Sequence, residues 1–318
     1  MWLVVNADIA KQRIISPFYS FQENAVPKFR YSMLGSWWKG NTHIHSTASD
    51  GAKNFSELAE LYHAAGYHFL FRTDHWVTSD ARSDTNHYPL LWLDGIEMDG
   101  SDSTEAGYHV VALGSFHGIQ REIGLQQGLE ATRAQGGLLI IAHPHWMGNT
   151  FEDALRWQFD GVEVYNHVCR WLNGKGDGGP YWNAMLTQYP NTFAFSSDDA
   201  HIKSADPGWN GGWVMVNAAV CTPEAILSAL KAGNFYSTCG PVFESIILDG
   251  NMLSIQCSPV RFARLVGPAS CGAHAGSYNG SLLTRASFEI QPSWQYAYLE
   301  IEDELCRRAW SNPLFIAG

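Results

Sequence analysis

The chain is short of positive charge, of spaced cysteines and of long apolar runs. Lys and Arg number 20 against 31 Asp and Glu, a formal net charge of -11 with His neutral. A basic face for a nucleic-acid backbone is therefore not expected. An acidic chain can still hold phosphate where metal ions supply the local positive charge. The six cysteines (Cys169, Cys221, Cys239, Cys257, Cys271, Cys306) have no pairwise spacing, which excludes CxxC-type zinc sites and argues against a disulfide framework in 318 residues. No apolar run approaches bilayer length, and the Met1–Val5 start has no basic flank. Neither a membrane span nor a secretion signal is expected, and the expected compartment is the cytoplasm. No internal repeat or low-complexity linker is present.

What the chain has is histidine and carboxylate at the ends of apolar runs. In His43-Ile44-His45 the two imidazoles stand at i and i+2, on one side of an extended segment, with Asp50 five residues on. Asn54 and Glu57 form a capping-box pattern ahead of Leu58, Leu61 and Tyr62, and Gly66 stops that helix. The strand expected at 68–72 ends at Thr73-Asp74-His75. The run 90–96 ends at Glu97, and His109 opens a further strand at 108–113. A helix is expected over 120–135. Residues 138–142 read as a strand buried on both faces, ending at His143-Pro144-His145. Helices are expected over 151–157 and 181–188, and strands over 161–165, 192–195 and 213–216. The 192–195 strand runs into Ser196-Ser197-Asp198-Asp199-Ala200-His201. Thr222, Pro223 and Gly233 bracket a helix as N-cap, first-turn proline and C-terminal glycine.

Strands alternating with helices imply parallel pairing and right-handed crossovers. The expected fold class is α/β, a distorted (β/α)7 TIM-like barrel with working residues at the C-terminal strand ends. The expected domains are an N-terminal extension over 1–35 (aromatic positions Phe18, Tyr19, Phe21, Phe29 and Tyr31), the barrel over 36–240, and a small β-sandwich-like domain over 241–318. In this last part short strands alternate with Gly, Asn and Pro turns.

The ligand candidates are His43, His45, Asp50, His75, Glu97, His109, His143, Asp199 and His201. This is more than one ion needs, and it suits two or three divalent cations, Zn, Mn or Fe, with Glu97 or Asp199 bridging. Such ions support hydrolysis by a metal-bridging hydroxide, and small phosphate esters are the natural substrate. Arg72 is the first candidate for a phosphate contact, Arg170 and Lys175 weaker ones. Each residue also has a structural reading. Asp50 can cap the turn before Gly51, Asp74 can brace a loop, and His109 can be a half-buried strand histidine. Arg72 can be a surface or structural residue. His117, His145 and His167 are read as structural, and His63, His68, His87 and His274 carry no functional weight.

The ordered set His43-x-His45 with Ser49-Asp50-Gly51, Thr73-Asp74-His75, Gly95-Ile96-Glu97, Ala142-His143-Pro144 and Ser197-Asp198-Asp199-Ala200-His201 resembles the motifs of the PHP (polymerase and histidinol phosphatase) domain. The resemblance covers about residues 36 to 240. It implies a trinuclear metal site and metal-dependent phosphoesterase activity. It places His43, His45, Glu97 and Asp199 around one ion, Asp50, His75 and His201 around further ions, and His109 and His143 with Glu97. Some relatives carry histidine where Asp50 stands. The segments Glu163-Val164-Tyr165-Asn166, 173–177 and 308–313 resemble the CehA/McbA-type branch, some members of which are thought to cleave carboxyl or carbamate esters. Two other readings stand beside the phosphoesterase. One is a metallohydrolase of carboxylic or carbamate esters or amides. The other is a carbohydrate- or partner-binding protein with structural metals. The expected partner is a small molecule, with neither nucleic acid nor membrane.

Overall fold

The computed structural model describes residues 28–276 and 278–316. Most of the expected 1–35 extension, with Phe18, Tyr19 and Phe21, lies outside the described residues. The strands are β1 (Lys28–Phe29), β2 (Ser36–Asn41), β3 (Phe69–Arg72), β4 (Leu91–Ser101), β5 (Gly107–Leu113), β6 (Leu138–Ile141), β7 (Gly161–Asn166), β8 (Phe193–Ser197), β9 (Trp213–Ala218), β10 (Phe235–Thr238), β11 (Phe243–Asp249), β12 (Met252–Val260), β13 (Phe262–Val266), β14 (Gly272–Gly276), β15 (Leu283–Glu289), β16 (Tyr298–Glu302), β17 (Arg308–Ser311) and β18 (Phe315–Ile316). The helices are α1 (Phe55–Ala64), α2 (Gly124–Ala134), α3 (Pro144–Met147), α4 (Phe151–Arg156), α5 (His167–Asn173), α6 (Gly179–Leu186) and α7 (Pro223–Ala232). Among the described residues, no helix is long and apolar enough to cross a membrane.

Local chemistry accounts for the helix ends. Asn54 accepts from the Glu57 backbone N–H, and the Glu57 side chain accepts from the Asn54 N–H, so both halves of the capping box form. Thr150 and Asp153 repeat the device at α4. Thr222 caps α7, and Gly233 ends it at φ 72, a left-handed conformation that glycine adopts without a Cβ clash.

The strands form a mixed sheet, and the expected (β/α)7 barrel is not what the described strands build. Thirteen strands run in the order β14-β13-β16-β17-β10-β9-β2-β3-β4-β5-β6-β7-β8. Parallel pairing holds for β2-β3-β4 and β6-β7-β8, whereas β4-β5, β5-β6, β2-β9 and β9-β10 are antiparallel. The reason is the connection after Ser101. Asp102 N–H donates to Ala106 O at 3.0 Å, and the Asp102 carboxylate accepts from the Thr104 N–H and hydroxyl at 2.8 and 2.6 Å. A turn this short joins antiparallel strands only, since a parallel pair needs a crossover of a dozen residues or more.

The sheet still curls. Phe69, Phe71, Leu113, Ile140, Phe195, Val216 and Phe235, from six different strands, share one buried cluster. A fully buried side chain of this size contributes roughly 1.5–3 kcal/mol. Side chains bridge β8 and β10 where no ladder forms: Ser237 Oγ donates to Ala194 O at 2.7 Å, and Ser196 Oγ to Thr238 O at 3.0 Å. The sequence boundary at 240 falls between β10 and β11, yet β17 returns to pair with β10. The three-stranded sheet β11-β12-β15 packs over the β13-β16-β17 end on a core that includes Phe243, Leu253, Ile255, Leu265, Leu299 and Ile301.

One buried carboxylate fastens the curled sheet beside the candidate ligands. Asp198 accepts from Tyr62 Oη, Asn41 Nδ2 and the Asn210 and Gly211 N–H groups, each at 2.8 Å, and from the Gly212 N–H at 2.9 Å. This ties β2, α1 and the loop before β9 to the end of β8. Removing the carboxylate leaves five donors without their acceptor in a dry site. Asp198→Ala is expected to destabilise the chain by at least about 3 kcal/mol, read as a lower midpoint in urea unfolding at unchanged m value. A loss below about 1 kcal/mol would show that the loop is held otherwise.

Candidate metal centre

The strand ends deliver imidazoles and carboxylates to one place. His43 and His45 follow β2, and Thr73 Oγ1 holds the Ile44 N–H between them at 2.9 Å. Glu97 lies within β4, which runs on past it to Ser101. The backbone bridge His75–Glu97 seats His75 beside it. His109 is on β5 opposite Asp99. His143 and Asp199 close β6 and β8 at φ 29 and φ 57, a region that non-glycine residues rarely enter. Their backbone is braced: His143 N–H donates to Glu163 Oε2 at 2.9 Å, and Asp199 N–H to His43 O at 2.8 Å.

His43 and His45 are 0% exposed and Glu97 is 1% exposed. His43 Nε2 lies 3.2 Å from His45 Nε2, 3.2 Å from Glu97 Oε1 and 3.3 Å from Asp199 Oδ1. His45 Nε2 lies 3.2 Å from Glu97 Oε2 and 3.1 Å from Asp199 Oδ1. His43 Nε2, His45 Nε2 and Asp199 Oδ1 are thus spaced as one face of a tetrahedron, whose edge is about 3.3 Å around an ion with ligands at ~2.0–2.1 Å, and Glu97 reaches His43 through Oε1 and His45 through Oε2. The donor chemistry fits as well. With its Nδ1 committed to Glu163 Oε1 at 2.8 Å, a neutral His43 would offer its Nε2 lone pair to a cation in the cluster. A carboxylate behind a ligating imidazole is the usual way its tautomer is fixed.

Two further groups adjoin the first. His109 Nδ1 and His75 Nδ1 lie 2.9 and 3.2 Å from the two Glu97 oxygens. One Glu97 oxygen thus serves His43 and His109, the other His45 and His75. Asp50, His75 and His201 gather at the open end with His45. There His201 Nε2 is 3.2 Å from Asp50 Oδ2, and His201 Nδ1 is held by Asp199 O at 2.9 Å. His143 Nε2 stands 3.5 Å from Glu97 and 3.6 Å from Asp199. All nine residues proposed from the sequence therefore converge, and one more buried donor, Cys169, lies with His143 and Asp199.

Arg72, the sequence-proposed phosphate contact, is not in the cluster. It shares the outer face of β3 with Leu70, lies 4.3 Å over the Phe55 ring and pairs with Asp84 at 2.5 Å. Asp74 is a brace, accepting from the backbone N–H and hydroxyl groups of both Ser46 and Ser49. Residues not singled out from the sequence join the site instead. Besides Glu163 and Cys169 these are Asp99, 3.0 Å from His75 Nδ1, Arg121 on Asp99, and Lys203 on Asp50. The position of Asp99, two residues after Glu97 in a strand, was a readable signal for a shared face.

In the metal-free protein, protons balance the carboxylates. Burial opposes charge on His43, but Asp199, Glu97 and Glu163 push its pKa well above the usual range. Burial likewise opposes charge on His45, yet hydrogen bonds to Asp199 and Glu97 raise it to about 9. Burial would raise Glu97 and Asp199, but His43 foremost among their imidazole neighbours holds both below the ordinary carboxylate range.

No family model matches the chain, and no curated protein matches it. Among solved structures, the chain is similar to a two-domain protein containing a predicted PHP-like metal-dependent phosphoesterase from Bacteroides vulgatus, at 13% identity and TM-score 0.49, over 89% of this chain and 95% of that one. It is also similar to a candidate metal-dependent phosphoesterase from Bifidobacterium adolescentis, at 14% identity and TM-score 0.39, over 54% of this chain and 90% of that one. An amidohydrolase from Chromobacterium violaceum, with bound sulfate and no metal, matches at 17% identity and TM-score 0.39, over 54% and 90%. Likeness at these values carries no argument about activity.

Three outcomes are expected. An imidazole must shed its proton to bind a cation, so apparent affinity for Zn(II) should climb with pH up to about 9, where His45 loses its proton. Competition against a chromophoric chelator between pH 6.5 and 9 measures this; a flat profile would remove His45 from the ligand set. Because the His45 pKa is raised on folding, its stabilisation of the metal-free chain is fully present below about pH 6.5 and is lost as pH rises through about 9. Glu163→Gln should lower Zn(II) affinity by about 10–100-fold while the fold persists, and unchanged affinity would make Glu163 a packing residue.

Proposed function

We propose that the chain is a metal-dependent phosphoesterase of the PHP type, hydrolysing a small phosphate ester with two or three divalent ions, Zn, Mn or Fe. The observation that carries this reading is the set of 3.1–3.3 Å separations among His43, His45, Glu97 and Asp199 in a site closed to water. Those four residues would hold the innermost cation. Glu97 would bridge to a second held with His75 and His109, and Asp50, His75 and His201 would offer a third position. Bound there, such ions acidify water and neutralise charge that develops on the phosphoryl oxygens.

The protein's own residues have defined tasks. Glu163, also bonded to Asn166 Nδ2 at 2.8 Å and to Ser197 Oγ, keeps the His43 ring in one tautomer. Asn166 Nδ2 steadies Asp199 Oδ2 at 3.3 Å. Trp146 stands edge-on to His143 at 5.3 Å and to His109 at 6.2 Å.

A second reading keeps the ions and changes the substrate to a carboxylic or carbamate ester or an amide. The commitment of Arg72 to Asp84 favours it, because the phosphate contact first proposed is absent.

The test is turnover of an aryl phosphate and an aryl acetate by chain stripped of metal and reloaded with Mn(II) or Zn(II). Faster phosphate turnover, lost on chelation and regained on reloading, is expected. His43→Ala should reduce it by on the order of a hundredfold or more. Turnover that survives complete metal removal would overturn both readings, and faster acetate turnover would select the second.

A further inference from the structure

The cluster has a closed end and an open end, and both long cationic side chains at its rim sit on the open one. His43, His45 and Glu97 mark the closed end. At the open end Asp50 is 45% exposed, His75 20% and Asp99 24%. Lys203 Nζ lies 2.9 Å from Asp50 Oδ2, the oxygen that also faces His201 Nε2 at 3.2 Å. Arg121 grips both Asp99 oxygens, at 2.6 and 2.8 Å, and Asp99 Oδ1 lies 3.0 Å from His75 Nδ1. Lys203 thus pairs with a candidate ligand directly, and Arg121 is one carboxylate away from His75.

The geometry points to Lys203 and Arg121 as the groups that receive the anionic end of the substrate, a phosphate monoester dianion. This rests on the phosphoesterase reading and names its substrate class. Charge is the first reason. Six carboxylates, Asp50, Glu97, Asp99, Glu163, Asp199 and Asp206, lie among or directly behind the candidate ligands, so three divalent cations bring the centre to about neutral. The two rim cations then supply the surplus that attracts a dianion over a neutral ester or a monoanionic diester.

Exchangeability is the second reason. The pairs Lys203–Asp50 and Arg121–Asp99 involve exposed cations, 43% and 56%, and exposed pairs hold together only weakly. A carboxylate drawn toward a cation loosens its grip on the ammonium or guanidinium. Lys203 presents a swivelling point charge and Arg121 a planar fork that matches two phosphoryl oxygens. Cation–π contact with Trp76, 5.7 Å from the Arg121 guanidinium, keeps that fork at the rim when Asp99 turns away.

The experiment uses full-length chain loaded with Zn(II), with inorganic phosphate as probe, by calorimetry and as a competitor of aryl phosphate turnover. Wild type is compared with Lys203→Met, Arg121→Gln, the double variant and Lys203→Arg, with zinc content measured for each. Each neutral variant is expected to weaken phosphate binding about tenfold or more. The double variant should weaken it further, zinc content should stay unchanged, and Lys203→Arg should recover part of the loss. Phosphate affinity that is unchanged at full zinc content would overturn the proposal, as would a variant that loses zinc yet binds phosphate normally per loaded site. If aryl phosphate is not turned over but phosphate binding still falls in the variants, the anion site stands and the hydrolytic reading fails. If wild type does not bind phosphate at all, the proposal fails.

Discussion

Glu97 sets the terms for the rest of the molecule. Its carboxylate is sealed from water, and an uncompensated charge there would cost far more than the few kcal/mol by which a domain is stable. Five imidazoles lie within 3.5 Å of its two oxygens: His43, His45, His75, His109 and His143. They come from four separate stretches of chain, so Glu97 is tolerable only when β2, β3, β5 and β6 have all been placed around β4. The local cost and the global topology are thus one constraint. The mixed sheet satisfies it without the closed parallel barrel that alternating strands and helices suggest.

Much of this was legible in the sequence where the signal was local. The capping box at Asn54 and Glu57 and the Thr222–Gly233 helix are decided by hydrogen bonds within a few residues, and both form as read. The positions of ligand-type residues at strand ends were legible for the same reason: an apolar run followed by His or Asp marks where a buried strand emerges. What escaped was non-local or short. The 102–106 turn carries an Asx signal at Asp102, but a turn does not announce that it replaces a crossover helix. Helix α5 begins at an Asn166 cap, between the strand expected to 165 and the helix expected from 181. Arg72 could have been placed correctly by period-two alternation, since Leu70 fixes the face it shares. Glu163 was visible as a lone charge inside an apolar strand, yet no spacing in the chain reveals that its partner is the His43 ring, 120 residues away.

The strained backbones at His143 and Asp199 show how convergence is enforced. A φ of 29 or 57 at a non-glycine residue costs on the order of 1–3 kcal/mol. Both angles occur where a strand must stop and turn its next side chain inward. Each is opposed by a bond that only the assembled fold supplies: Glu163 to the His143 N–H, and His43 O to the Asp199 N–H. Asp198 completes the arrangement from behind. It faces away from the cluster and gathers five donors, so adjacent carboxylates take opposite jobs, one building the wall and the other presented to the cluster.

Protons and cations are then interchangeable counter-charges at one address. Without metal, raised imidazole pKa values keep positive charge between the carboxylates, and the nitrogen and oxygen atoms lie about 3 Å apart as ion-pair contacts. With metal, the same atoms need the same spacing as edges of a coordination shell. Exchanging one for the other asks for little movement of the sheet, because both states require attraction between the same nitrogen and oxygen atoms. The balance shifts along the cluster. At the closed end His43, His45 and Glu97 are buried, and the exchange is between protons and metal. At the open end Lys203 and Arg121 offer a third source of positive charge, and that end is where an incoming anion can compete for it.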